Sequence, residues 1–284
     1  MLVGRSRITE SERDRRVVSA TMRGMRPLLA PLVLFALAAA GPLAAAPTMR
    51  TVRAGTIDCR VVDVDLAADR LELHWKDEGG RAFGTVDRLR EWGEGQGRTL
   101  QFAANAGIYD GQFRPLGLHV EDGRTLRPLN TARTGAGRGN FALPPNGVFY
   151  VDRVGHAGVV TTAQWQRRPA DARLATQSGP MLVVDGDINP NFDAASDSLK
   201  WRSGVCAPTP GHALFAVSEA PVSFHAFAAL FRDELGCRDA LYLDGTLSRF
   251  WTPSGGYAGA AAVLVKPYAG MFAVFADGEA APAR

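Results

Sequence analysis

Three cysteines and five histidines in 284 residues leave little for metal or thiol chemistry. Cys59, Cys206 and Cys237 are far apart, which excludes the paired C-x-x-C ligands of a structural zinc site. No Glu-x-x-His pair and no Ser/His/Asp order at informative spacing occurs. His119, His156 and His225 are therefore expected as packed or surface residues, and His74, on the polar phase of its strand, as exposed. The glycine-rich Arg133–Asn140 stretch lacks the lysine and the serine or threonine of a phosphate loop. Asp185-Gly186-Asp187-Ile188-Asn189 opens like a calcium loop, but Pro190 and Ser196 replace the required glycine and glutamate, which excludes an EF-hand. These acids leave open a divalent cation such as calcium in another geometry; no other cofactor is expected.

Charge of one sign is also lacking. The chain carries 32 basic and 29 acidic residues, and once residues 1–46 are set aside 25 basic and 26 acidic residues remain. No overall field then attracts nucleic acid or an anionic membrane. After residue 46 no apolar run is long enough to span a bilayer.

Residues 25–46 do carry a pattern: a basic start, an apolar stretch and then small residues ending at Ala44–Ala46. That order is a secretory signal, with cleavage expected near Ala46 and a periplasmic or secreted product. The organisation expected is an N-terminal extension with signal over 1–46 and one domain over 47–284. In an oxidising compartment the three cysteines allow one bridge; the strand-like runs beside Cys59 and Cys237 favour that pair.

With 46% hydrophobic and 21% charged residues, the remainder has material for a globular core. Period-2 runs dominate it. The runs at 59–66 and 70–75 read as a hairpin; 116–121 and 124–129 flank Asp122-Gly123, a strong hairpin turn. Phe141–Val151 reads as another hairpin around Pro145-Asn146-Gly147. Helices are few: Ala82–Trp92, Thr161–Arg168, and Ser223–Leu235. In the last, Phe224, Phe227, Phe231 and Leu235 share a face, Ser223 caps the start and Gly236 ends it. The expectation is an α+β fold with a mixed, largely antiparallel sheet and a few packed helices in a single domain.

The most informative stretch is Gly236–Trp251. Ala240–Leu243 is a buried-strand run that stops at Asp244-Gly245, so a carboxylate sits where strand becomes turn, with Ser248 and Arg249 just beyond. A second such break follows Leu100–Ala104 at Asn105-Ala106-Gly107, where small residues let backbone approach something closely.

Five features recur in order: Asn105-Ala-Gly with Pro115-Leu-Gly-Leu, Pro145-Asn146-Gly147, Gln177-Ser178-Gly179-Pro180, Arg202-Ser203, and Leu243-Asp244-Gly245 with Ser248. Over residues 57–275 this set resembles the phosphodiester glycosidase family. Asn105-Ala106-Gly107 is similar to its Asn-Gly-Gly loop, Arg202-Ser203 to its Arg-Thr or Arg-Ser, and Asp244–Ser248 to its Asp-Gly-Gly-Gly-Ser segment. Ala106, Thr246 and Leu247 stand where the family has glycine, so side chains are expected to narrow the pocket.

The resemblance implies hydrolysis of a glycosyl phosphodiester or related bond, with a carbohydrate or phosphosugar as partner. Such a substrate needs donors for its anionic oxygens, here Arg202, Asn105 and loop N–H groups, and carboxylates at the anomeric carbon. Asp244 is the first carboxylate; Asp110 and Asp185 compete for the second. Gly107, Gln177, Ser178, Ser203, Gly245 and Ser248 complete the expected substrate-binding set. A non-catalytic carbohydrate-binding protein on the same scaffold is the alternative, supported by the altered glycine segment. Nothing in the sequence indicates an oligomeric state.

Overall fold

The computed structural model describes residues 46–132, 141, 143–167, 169–245, 247–261 and 267–278. The expected signal (except Ala46), the Arg133–Asn140 loop and Thr246 lie outside them. Ala44–Arg284 forms one compact unit.

The architecture is mostly β, in three sheets. The first runs in the order β1 (Met49–Ala54), β2 (Ile57–Asp65), β13 (His212–Ser218), β12 (Ser203–Thr209), β14 (Ala240–Asp244), β10 (Met181–Val184), β11 (Asp187–Ile188). The second is β16 (Gly256–Gly259), β15 (Arg249–Thr252), β4 (Arg98–Asn105), β17 (Met271–Asp277), β3 (Leu71–His74). The third is β6 (Arg124–Arg127), β5 (His119–Glu121), β9 (Ala172–Ser178), β7 (Gly147–Asp152), β8 (Ala157–Thr161). Every pairing in these sheets is antiparallel.

Strand alternation sorts side chains between a shared interior and three outer faces. On β13, Ala213, Phe215 and Val217 point into a core that also takes Phe102, Phe149, Leu174, Leu243, Phe250 and Phe272, so all three sheets contribute to it. Leu214 and Ala216, of opposite parity, face a second cluster under α3 (Phe224–Ala229) and the π-helical turn Leu230–Glu234 that continues it. Helix α1 (Val86–Gly95) covers the outer face of the second sheet with Val86 and Leu89, and α2 (Thr162–Arg167) covers the third with Trp165. Each sheet thus has one face on the common core and one under a helix.

The cap at Ser223 is formed, its Oγ accepting from Ala226 N at 3.1 Å, and Gly236 takes the left-handed φ of +65° that ends the segment. Helix α1 begins later than its apolar spacing indicated, because Thr85 caps it. Two expected hairpins are absent. The runs at 59–66 and 70–75 enter different sheets, β2 beside β1 and β13, and β3 beside β17. Among the described residues of 141–146 there is no strand, and β7 pairs with β8 and β9 instead. Alternation reports which face is buried and does not name the partner strand.

The bridge joins Cys206 to Cys237, correcting the expected Cys59–Cys237 pair. Cys206 is opposite Ala240 in the β12–β14 ladder, whereas β13 stands between Cys59 on β2 and that ladder. Cys59 is free and fully buried, and burial pushes its thiol up to about 12. His74 is likewise not exposed: its ring packs against Phe83, Trp92 and Phe275 and meets Glu72 at 2.9 Å. Thiol titration of the native protein is expected to find no reactive cysteine, and unfolding without reductant to release one. Peptide mapping that recovers Cys59 in a disulfide would contradict this arrangement.

Candidate active site

The ends of all three sheets meet at one place. β4 ends at Asn105, β9 at Ser178 and β14 at Asp244, while β12 begins at Ser203 and β15 at Arg249. Asn105 Nδ2 donates to Ser203 Oγ at 2.9 Å, tying the second sheet to the first. Ser248 Oγ lies 2.9 Å from Ser203 Oγ and 2.8 Å from the Asp244 carbonyl oxygen. A carbonyl only accepts, so the Ser248 proton goes to it and the Ser203 hydroxyl donates to Ser248. The result is a directed chain, Asn105 to Ser203 to Ser248 to the backbone of Asp244. Asn105 Oδ1 meanwhile accepts from Arg249 N at 3.3 Å.

The third sheet joins through Ser178, whose hydroxyl donates to Leu243 O at 3.1 Å, and Thr176, whose hydroxyl donates to Ala106 O at 2.7 Å. Gly107 has φ +123°, and a Cβ there would come 3.2 Å from Thr176 Oγ1 and 3.4 Å from Ser178 Cβ. Glycine is what lets this loop lie against β9.

Asp244 is at the centre. Its surroundings remove most water while its side chain keeps some access. Desolvation lifts its carboxyl to about 6, against the opposing hydrogen bond that Gly245 N donates to Oδ1 at 2.6 Å. Oδ2 accepts no hydrogen bond from the described residues and is free to meet a ligand. Tyr109 and Tyr268 complete the surroundings: burial raises both phenols, and the Asp244 carboxylate raises them further. Tyr268 Oη donates to Leu247 O at 3.0 Å.

Other sequence-predicted residues take different places. Gln177 is buried with its amide fully engaged: Oε1 accepts from Leu118 N and Asn130 N, and Nε2 donates to Asn130 O and Thr162 Oγ1. It ties loops together and has no capacity left for a substrate. Arg202 is 1% exposed, with Nε on Val222 O at 2.8 Å, Nη2 on Ser198 O at 3.1 Å and its guanidinium 3.5 Å over the Phe224 ring. Being next to Ser203, it faces the opposite side of the sheet. Asp185 stands at the far end of β10, paired with Arg238 at 3.0 Å, because β10 runs antiparallel to β14 and carries residue 185 away from 244. Asp110 closes its own loop. Burial works to raise its carboxyl, but N–H donors of Arg114 and Gln112 and the Arg114 guanidinium outweigh it and hold the group below the ordinary range.

Sequence reading gave no role to Tyr109, Tyr268 or Arg249. Tyr109 and Arg249 had a signal, since each follows a strand break within a quoted motif; Tyr268 sits in no pattern that marks it.

A half-buried carboxyl of raised basicity where strand ends converge is a candidate site for a small ligand. The chain belongs to the phosphodiester glycosidase family, whose sequence profile matches residues 98–258. It is 36% identical over 226 residues to the Escherichia coli (strain K12) protein called uncharacterized protein YigE, covering 79% of this chain and 83% of that one. Among solved structures it is similar to the catalytic domain of zebrafish N-acetylglucosamine-1-phosphodiester alpha-N-acetylglucosaminidase, auto-inhibited by its pro-peptide, with a TM-score of 0.56, 13% identity and coverage of 83% and 84% of the two chains. A hypothetical protein from Synechocystis aligns with a TM-score of 0.51 at 14% identity, over 81% of this chain and 61% of that one. A putative exported protein from Burkholderia pseudomallei K96243 aligns at 0.50 and 14%, over 77% and 74%.

The raised carboxyl has a stability consequence. A folded value of about 6 against an ordinary 3.8 means the fold favours the protonated form, so stability is withheld as pH rises from about 4 through 6. The amount approaches about 3 kcal/mol above pH 7. Asp244→Asn, which keeps an acceptor for Gly245 N–H, is expected to melt higher than wild type at pH 8 and to match it near pH 4. A lower melting temperature at both pH values would assign Asp244 a purely structural role.

Proposed function

We propose that the chain is an exported hydrolase that cleaves a glycosyl phosphodiester, or a related glycosidic bond in envelope or extracellular glycans, with Asp244 as the reacting carboxyl. The observation that carries this reading is the environment of Asp244: a desolvated carboxyl, one oxygen of which accepts no bond from the described residues, where three sheets converge. Membership of the phosphodiester glycosidase family supports the reaction class, and the activity in the zebrafish enzyme's name supports a sugar phosphodiester as substrate.

Two of the three departures from the family's glycine pattern are absorbed by packing. Ala106 is 3% exposed and joins the common core, and Leu247 packs on the cluster under α1. Neither reduces the case for catalysis.

Hydrolysis places water on the anomeric carbon as the bond from that carbon to the phosphate oxygen breaks, the electron pair leaving with phosphate. Phosphate departs without needing a strong acid, so the demand falls on the anomeric carbon and the water. An ionised Asp244 meets it by steadying positive charge at that carbon and accepting the proton of the water. With a carboxyl of about 6, kcat/KM on a sugar phosphodiester is expected to rise with pH through about 6 and then level. Asp244→Asn is expected to lower kcat about a thousandfold. The measurement uses purified mature protein with a panel of sugar-1-phosphodiesters and p-nitrophenyl glycosides. Saturable glycan binding without turnover by the wild type would establish the binding-protein reading instead.

Export is supported by the basic, apolar and small-residue order of residues 25–46. No helix among the described residues is long and apolar enough to cross a membrane, and one structural neighbour is described as exported. N-terminal sequencing of material outside the cytoplasm is expected to begin near Pro47; an intact leader on cytoplasmic protein would overturn this.

A further inference from the structure

Arg202 gives Nε and Nη2 to Val222 and Ser198, keeps Nη1 buried and is 1% exposed, so it presents no accessible cation to the site. A different arginine stands beside it. Arg249 opens β15 immediately after Ser248, and its backbone N–H is fixed on Asn105 Oδ1 at 3.3 Å. Its guanidinium lies 4.0 Å over the ring of Tyr257, whose hydroxyl is held by Asp87 Oδ2 at 3.2 Å. Among the described residues no carboxylate lies within ion-pair distance of Arg249, whereas Arg53, Arg98, Arg114, Arg153 and Arg238 each have one. The side chain is half-buried, and its guanidinium makes no hydrogen bond to the described residues.

The loop that follows Asn105 carries an aromatic face. Tyr109 stacks on Phe113 with centroids 5.6 Å apart and planes at 28°. Phe113 is 36% exposed, in a loop braced by the bond from Trp75 Nε1 to Phe113 O at 3.2 Å. The apolar C–H face of a pyranose packs on such a surface. Buried Tyr268 donates to Leu247 O in the same turn that carries Ser248, bonded to the Asp244 carbonyl, and Arg249; its phenol, raised by burial, is lowered by Arg249 and raised by Asp244.

We propose that Arg249, braced on Tyr257, is the oxyanion-binding and specificity-determining residue of this site. The Tyr109–Phe113 pair receives the sugar ring, so the preferred ligand is a glycan with an oxyanion directly beside the bond at Asp244. The inference rests on the proposed glycan chemistry but not on turnover. A guanidinium pre-positioned on a ring presents its fork to phosphate or carboxylate without first ordering a flexible side chain. The oxyanion is a phosphodiester or a uronic carboxylate, and the two are separable by experiment.

The test measures kcat/KM for wild type, Arg249→Gln and Arg249→Lys on a sugar phosphodiester, a hexuronide and the neutral p-nitrophenyl glycoside of the same series. It also measures thermal shifts with inorganic phosphate and glucuronate. Arg249→Gln is expected to lose about 10- to 100-fold on the anionic substrate and to stay within about twofold on the neutral one, with lysine restoring part of the loss. Whichever anion responds identifies the oxyanion. Phe113→Ala, a change at an exposed position, is expected to raise KM for charged and neutral glycosides alike, by about tenfold. Phosphate- or glucuronate-dependent stabilisation of wild type that Arg249→Gln abolishes, in a protein that turns over nothing, would support this inference and defeat the proposed hydrolysis. Equal losses on neutral and anionic substrates, or anion binding unchanged in Arg249→Gln, would overturn the role of Arg249. Unchanged KM values in Phe113→Ala would overturn the sugar face.

Discussion

The fold depends on a cluster of phenylalanines centred on Phe215. Its ring stands 5.2 Å from Phe102, 5.9 Å from Phe149, 6.3 Å from Phe250 and 5.0 Å from Phe272. Those residues come from β13, β4, β7, β15 and β17, so one contact set fastens the inner faces of all three sheets. Tilted and edge-on rings at these separations are favourable beyond their buried area, by about 0.5–1.5 kcal/mol a pair. None of the sheets could bury its inner face alone, and the geometry of each is fixed by the other two.

That constraint makes the site. Three sheets packed on one core bring their strand ends together, and strand ends are where polar residues and irregular backbone are tolerated. The chain from Asn105 through Ser203 and Ser248 to the Asp244 carbonyl then spans 98 residues of sequence at one step and 45 at the next. A network satisfied throughout is rigid, whereas one lost hydroxyl strands buried partners at about 1–3 kcal/mol each. Asp244 is thereby held in a place that opposes its own ionisation. A protein gains nothing in stability by keeping a carboxyl there, and such costs are characteristic of sites retained for chemistry.

Much of this was legible in residues. Strand breaks at Asn105 and Asp244, the Ser223 cap, the Asp122-Gly123 hairpin and the ordered motif set all rest on local chemistry, and local chemistry is what a sequence displays. Partner choice was not: β2 and β3 alternate as a hairpin would but pack into different sheets, since period 2 specifies a face only. The disulfide failed for the same reason, because strand order decides which cysteines are neighbours. Asp110 and Asp185 show the remaining limit. Each is a turn acid by sequence and a turn acid in the fold, tied to Arg114 and Arg238, and only position along antiparallel strands separates them from Asp244.

Arg202 and Arg249 bring these strands of argument to one point. Both lie beside a serine of the same hydrogen-bond chain, and from sequence either could hold an anion. Arg202 is enclosed, and burial lowers its pKa against the support of Tyr242; its Nε and Nη2 serve the carbonyls of Val222 and Ser198, and Nη1 is buried with them. A cation so placed fastens the loop before β12 to the start of α3, and its 1% exposure leaves a ligand no path to it. Arg249 has the opposite balance, with a fixed backbone, a ring beneath it and donors that bond to none of the described residues. What distinguishes them is parity: Arg202 lies on the helix-covered side of the first sheet, while Arg249 begins its strand facing away from the phenylalanine core. The same alternation that builds the interior therefore decides which of two arginines is available to a substrate.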